Sequence, residues 1–522
     1  MTLSTEDRAG ASDPLLASYE QVPYHGGPIR SSHPDSLATV ATLYGMSPAP
    51  VGACRVLELG CATGANVLGM ALSLPGSAFV GIDLAPGQIA RARERADAVG
   101  LRNVDLRAMS IDDIGDDFGT FDYIICHGVY SWVPPAIRDA ILRVCARNLA
   151  PNGVAYVSYN TFPGWHARSM VRDMILFHDD PSLPPLERVA RGRAMVEFLA
   201  TAATPNSVHR AALEQELVML RGMTDSHFLH EELETVNQPV YVAEFANRAA
   251  AKGLQYLGEA GLPNTEGALS PEAKQTLRRW SSDRVRFEQY VDFARNRTFR
   301  RTLLCHAGAT RALEPSAAAI PHMFLASRAA PTAEPANPAS VIAEKFQAPD
   351  GTTVETNHPL VRATLHLLFD ALPRAVAFGD VWREVSDRTA GASTDDAAWL
   401  AESLLQCATF NLVELHVSTA RCVAHAGPRP TASALARVEA AGGGRVTNLR
   451  HYAVELLEFD RALLPHLDGQ RDRSALLQLV RDTLALGQRP PGEDTFSADD
   501  DAIARVLDDS LRRLARAALL VA

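Results

Sequence analysis

At 522 residues the chain exceeds what one hydrophobic core organises, so roughly two to four domains are expected. Hydrophobic residues at 47% and charged residues at 21% are the balance of an ordinary globular protein. A formal net charge of -11 excludes a chain that grips nucleic acid through its overall field, and no nucleic-acid partner is expected.

No segment has the length and purity of a membrane span, so no membrane insertion is expected. The first residues, MTLSTEDRAG, carry acids early and lack the apolar run of a signal peptide. The seven cysteines include no CxxC pair. They read as reduced, buried thiols of a cytoplasmic protein, with neither a disulfide framework nor a metal site.

Between Cys54 and Tyr159 short apolar runs alternate with helical patterns. CRVLELG, AFVGIDL, VDLRAMS, FDYIICHGV and NGVAYVSYN read as strands. NVLGMALSLP, GQIARARERADAVG (ending on Gly100) and PAIRDAILRVCARNL read as helices. This alternation predicts right-handed βαβ units and a parallel sheet. From Ser169 to Gly222 the pattern is helical. Later runs, near KGLQYLGEAG and RTFRRTLLCHAG, are expected to add strands to the same sheet, with the helices between acting as a lid or insertion.

The Ala/Pro-rich stretch ending AAPTAEPANPAS has linker composition. After it, HPLVRATLHLLFDALP, AVAFGDVWREV and WLAESLLQCATFNLVELHVS follow the order of a winged helix. WLAESLLQCATF carries no Lys or Arg, so protein contact or packing is preferred over DNA binding. The remainder from Arg450 reads as helices interrupted by the loop GQRPPGED. The expected boundaries are 1–45 for an N-terminal cofactor lid and 46–165 for the Rossmann-like core. The helical insertion with late strands spans 166–310, the linker 311–340, and a mostly helical C-terminal domain with a winged-helix-like unit 341–522. The fold class is α/β.

The chemistry is concentrated at strand ends. Val56–Asn66 ends one strand and opens a helix, with Gly60 and Gly64 allowing close backbone approach to a ligand. The Gly-x-x-x-Gly spacing and Ala62 depart from GxGxxG, which argues against a pyrophosphate reader. S-adenosylmethionine (SAM) has no pyrophosphate and needs an acid for its ammonium. Glu58 stands where that acid, or its orienting partner, is required. Asp83 follows at the separation of a ribose-binding acid, beside Leu84. Asp112 is expected at the adenine amine, with Ser110 and Ile111 lining the base. His127 and Gly128 should lie beside the sulfonium methyl. Taken singly, Glu58 reads equally as a helix N-terminal charge, Asp83 as a cap and Asp112 as a turn residue. All four elements at the carboxyl ends of successive strands point to one ligand site, because open α/β sheets bind there.

These elements resemble those of class I SAM-dependent methyltransferases. With SYEQVPY at 18–24, SHPD at 32–35, VLELGCATGANV, YNTFPGWH at 159–166 and LLCH at 303–306, the chain is similar to bacterial methyltransferases with a regulatory domain. That group includes lysine methyltransferases of outer-membrane proteins. The resemblance implies a class I fold, SAM as cofactor with S-adenosylhomocysteine as product and, for some members, protein lysine N-methylation. Tyr19, His33 and Asn66 join the expected cofactor residues, and Tyr19 to His33 is expected to cover the cofactor.

Methyl transfer needs an aligned, deprotonated nucleophile in a dry aromatic site. Tyr24, Tyr130, Trp132, Tyr159 and Trp165 are candidate walls. Asn160 is a candidate to hold an amine. Glu231, with His227 and His230, is a candidate to accept a proton or hold a cation. A protein or peptide acceptor is expected, and a homodimer is entertained. The competing readings are a small-molecule N- or O-methyltransferase and a non-catalytic SAM-binding interaction protein. The absence of a DPPY or NPPY tetrad disfavours nucleobase amino methylation.

Overall fold

The computed structural model describes residues 26–262, 269–333, 343–389, 393–485 and 500–521. After helix α1 (Pro34–Leu43) come β1 (Arg55–Leu59), α2 (Ala65–Ser73), β2 (Ala78–Asp83), α3 (Pro86–Val99) and β3 (Val104–Ala108). Next are β4 (Phe121–Cys126), α4 (Pro135–Arg147) and β5 (Leu149–Asn160). With β6 (Leu254–Glu259) and β7 (Phe299–His306), the central sheet has seven strands in the order β3-β2-β1-β4-β5-β7-β6. β1 to β5 run parallel, while β7 is antiparallel to both β5 and β6.

The strands are apolar on both faces because helices cover both. Val56, Tyr123 and Ile125 enter one hydrophobic cluster with α2 and α3, while Leu57, Leu59, Ile124 and Cys126 enter another with α4. Strand order reverses between β1 and β4, which opens the crevice at their carboxyl ends. Local signals set the boundaries. Pro86 opens α3, and Gly100 ends it in the left-handed region at φ 77°, its N–H donating to the Ala96 and Asp97 carbonyls.

Helices α5 (Trp165–His178), α6 (Pro185–Ala202), α7 (Val208–Gly222) and α8 (Asp225–Glu232) form the expected insertion. They bury their own cluster around Ile175, Val196, Leu213 and Phe228. α9 (Val242–Ala250), α10 (Pro271–Trp280) and α11 (Arg284–Arg295) accompany β6 and β7.

A buried ion cluster fixes β7. Arg300 contacts Glu259 and Asp292 at 2.7 Å each and Glu288 at 2.9 Å, and all four side chains are almost fully buried. Arg284 and Arg297 add contacts to the same carboxylates.

The Ala/Pro-rich stretch is more ordered than its composition suggested. Ala317, Ile320, Met323 and Leu325 are buried in a C-terminal core with Leu365, Val381 and Leu404, and Ala330–Pro331 pairs with strand Glu344–Gln347. The buried apolar side chains of this stretch supply enough burial to outweigh the linker-like composition. The part of the stretch over 334–340 lies outside the described residues, as does GQRPPGED. A second C-terminal core joins Ala436, Phe459, Leu464, Val480, Leu507 and Leu514. Among the described residues no helix is long and apolar enough to cross a membrane.

Removing Arg300 strands three buried carboxylates. Arg300→Met should destabilise the protein by about 3–5 kcal/mol, read as a lowered midpoint in urea unfolding followed by tryptophan fluorescence.

Candidate active site

A cavity of about 300 Å³ lies at the carboxyl ends of β1, β2 and β4. Its floor is the β1–α2 loop. Gly60 takes φ 75°, and a Cβ there would meet Val129 Cγ2 at 2.5 Å, so glycine lets the loop pass against the segment after β4. Ala62 sits at φ 47° without being glycine. Asp83 compensates: its Oδ2 accepts from the Ala62 N–H at 2.9 Å and its Oδ1 from the Ala85 N–H at 3.0 Å. Gly64, at φ 77°, is the N-cap of α2 and shapes the loop without itself lining the cavity.

Glu58 is 3% exposed and faces this floor. Its Oε1 accepts from Asn66 Nδ2 at 2.7 Å, while Oε2 has no hydrogen-bond partner. Burial pushes its carboxyl up to about 7, with Asp83 adding to the shift and Asn66 opposing it. Burial also raises Asp83. Two acidic side chains in one crevice, one with an unused oxygen, favour a ligand bearing a cation and hydroxyl donors.

The side walls come from the later loops. Leu84, Ser110, Ile111, His127 and Gly128 line the cavity, as expected from sequence. His127 Nδ1 faces Tyr156 Oη at 2.8 Å, and burial lowers its imidazole to about 3, so it is neutral. Gly128 N–H donates to Ser158 Oγ at 2.8 Å. Across from them stand Trp132, Phe299 and the end of α8, which contributes His230 and Glu231. Glu231 pairs with Arg168 at 3.3 Å and His227 at 3.4 Å. His230 Nδ1 faces Glu234 Oε1 at 3.2 Å.

Several sequence expectations are corrected. Tyr130 and Tyr159 do not reach the cavity. They are buried against Phe245 of α9, Tyr159 stacked at 4.2 Å and Tyr130 edge-on at 5.2 Å. Tyr159 Oη is bonded to Thr302 Oγ1 of β7. Asn160 is likewise away from the cavity, with Nδ2 donating to Asn237 Oδ1 at 3.1 Å. Trp165 is fully buried under the Arg168 guanidinium. Asp112 turns outward to Arg143 at 2.9 Å and leaves the cavity to Met109, Ser110 and Ile111. His33 caps α1, accepting from the Asp35 N–H at 3.1 Å, and its Nε2 faces Ser73 Oγ on the far end of α2. It is therefore a brace between helices and does not line the cavity. Tyr19 and Tyr24 lie outside the described residues. Gly26, Gly27 and Ile29 do line the cavity, in keeping with an N-terminal cover.

Sequence reasoning passed over Phe299, Thr63 and Gln88 as cavity residues. Phe299 opens a late antiparallel strand, and no local motif marks it. Among the described residues no cluster of His, Cys, Asp and Glu could hold a metal ion.

The fold, the loop and the strand-end acids together define a class I SAM-dependent methyltransferase. Comparison with known proteins agrees. The chain matches the family models "Methyltransferase domain" over 57–155, "Predicted methyltransferase regulatory domain" over 224–306 and "PKMT, C-terminal winged helix domain" over 428–519. It is 32% identical over 497 residues to the uncharacterised protein RP789 of Rickettsia prowazekii, covering 93% of this chain and 88% of that one. It is 34% identical to RP028 of the same organism over 46% of this chain and 96% of that one. Among solved structures it resembles PKMT2 from Rickettsia typhi with a TM-score of 0.86 at 25% identity, covering 96% of this chain and all of the other. The same protein in complex with AdoHcy gives a TM-score of 0.83.

The chain belongs to this family of multi-domain methyltransferases with a regulatory region and a C-terminal winged helix. SAM is its cofactor, and the two acids and glycine-shaped loop of the cavity fit it. The winged helix matched by the family lies on 428–519, downstream of residues 358–418 from which the sequence order suggested it.

Asp83→Ala leaves the Ala62 and Ala85 N–H groups without their acceptor. The ligand-free protein should lose about 1–3 kcal/mol of stability, measured by thermal unfolding without cofactor.

Proposed function

We propose that the chain is a protein lysine N-methyltransferase, with PKMT read in that sense. The observation that carries this reading is likeness over nearly the whole chain, winged helix included, to PKMT2. The free cysteines, six of them buried, fit a reducing cytoplasm as its location.

SAM supplies an electrophilic methyl carbon on a sulfonium. The residues then divide the work. Glu58 Oε2 would accept from the amino-acid end, Asp83 would accept the ribose hydroxyls, and Leu84 and Ile111 would flank the base. The acceptor enters from the side of Trp132, Phe299, His230 and Glu231. Aromatic faces and the Glu231 carboxylate favour a lysine ammonium on approach. Displacement of water from this wall disfavours the charged amine and makes the neutral nucleophile accessible. With SAM bound, its methyl carbon would be supplied to the amine lone pair, and its sulfur would keep the C–S bonding pair. The methylated nitrogen then sheds its proton to solvent or to a group on the α8 wall.

Two measurements test this. Radiolabelled SAM incubated with the enzyme and bacterial lysate should label protein bands that yield N-methyl-lysine on acid hydrolysis. Label confined to low-mass products contradicts a protein acceptor. Separately, an ammonium bound at Glu58 must displace the proton that burial retains there. Affinity for S-adenosylhomocysteine should therefore rise from about pH 5 towards 7, by up to about tenfold per unit, and level off above. Calorimetry on Glu58→Gln should give a flat profile. A flat profile in the unaltered protein removes Glu58 from the ammonium site.

A further inference from the structure

The side chain of Asn66 has four neighbours besides its own helix. Its Nδ2 donates to Glu58 Oε1 at 2.7 Å and to Ser32 Oγ at 3.0 Å. Its Oδ1 accepts from the Ile29 N–H at 2.8 Å, and at the same distance it meets His451 Nε2. His451 belongs to the winged-helix segment, 385 residues away in sequence. The amide orientation follows from the Ile29 N–H, which can only donate and so fixes the oxygen, leaving the nitrogen to face the carboxylate. Were the amide reversed, its nitrogen would face the Ile29 N–H, donor against donor.

His451 reaches this place by a close fit. It adopts φ 61°, and its ring lies against Gly69 in the middle of α2. A Cβ at Gly69 would meet the ring at 2.9 Å. Glycine inside a helix is destabilising relative to alanine, and here it leaves room for the imidazole. The ring is 1% exposed, and its Nδ1 has no hydrogen-bond partner. Burial, with His33 and Arg30 nearby, keeps it neutral. Because the Asn66 oxygen faces Nε2 and no partner faces Nδ1, its single proton belongs on Nε2. The same unit is anchored next to the loop by Glu439, which pairs with Arg95 at 2.9 Å, while Arg95 also donates to the Thr63 carbonyl.

We propose that His451 is a positioning residue for the cofactor site: through Asn66 it orients Glu58, so that the winged-helix unit completes the SAM pocket without touching the ligand. The catalytic half then presents Glu58 correctly only while the C-terminal unit is docked.

The test is a double-mutant cycle in the full-length protein, read by calorimetry with S-adenosylhomocysteine. His451→Ala should weaken binding about three- to tenfold. His451→Gln, which keeps a donor at the same reach, should restore it to within about twofold. In an Asn66→Ala background the histidine change should have no further effect, because the two act as one unit. A purely structural role for His451 predicts additive losses and no rescue by glutamine. Unchanged affinity in a folded His451→Ala protein, or additive losses in the cycle, overturns the assignment. If the alanine variant fails to fold, His451→Gln is compared with His451→Leu; tighter binding by the glutamine variant upholds the proposal, and equal affinity overturns it.

Discussion

A carboxylate buried in the floor of a cavity must be oriented by hydrogen bonds or surrender its charge. Asn66 occupies one oxygen of Glu58 and leaves the other unused, and it only partly offsets the burial that lifts the carboxyl to about 7. The remaining architecture converges on the same asparagine. The N-terminal segment reaches it through Ile29 and Ser32, and the C-terminal unit through His451. Segments separated by hundreds of residues are thus tied to the floor of the cofactor cavity. A Rossmann-like sheet alone supplies the strand ends, whereas the cover and the brace come from both termini of the chain.

The helical insertion has a different part. Its core is independent of the sheet, and only the end of α8 enters the cavity wall. Arg168 links that end to α5, contacting Glu216, Glu231 and Glu232 while lying over Trp165. The α8 part of the cavity wall is therefore set by the insertion rather than by the sheet. In the proposed reading this lets acceptor choice vary without disturbing the cofactor floor. The buried Arg300 cluster serves the opposite end, pinning the antiparallel strand whose first residue, Phe299, forms part of the wall.

The sheet was legible in the sequence because its signals are local. VLELG, AFVGIDL and FDYIIC are short apolar runs bounded by turns, and Glu58 and Asp83 stand at strand ends where ligands of such sheets bind. The errors came from the facing of side chains. Tyr159 and Asn160 end β5, but which face they present depends on β7 and α9, which follow about 90 to 140 residues later and cannot be read from period alone. Asp112 satisfied the spacing, yet Arg143 on α4 draws it outward. His33 was sought at the ligand, where its real work is to cap α1 and reach Ser73. Nothing in the sequence marks His451 except, in hindsight, a glycine in the middle of α2. The winged helix was expected in the C-terminal half, and the family model for one matches there, over 428–519.

The central claim is that one cavity, floored by Glu58 and Asp83 and walled by α8, holds the cofactor with its methyl directed at the acceptor side. A crystal structure with S-adenosylhomocysteine tests it most directly. The account predicts ribose hydroxyls on Asp83, the amino group on Glu58 Oε2 and the sulfur open towards Trp132, Phe299 and Glu231. A ligand whose ribose and amino ends contact neither acid, or whose sulfur faces away from the α8 wall, would contradict it.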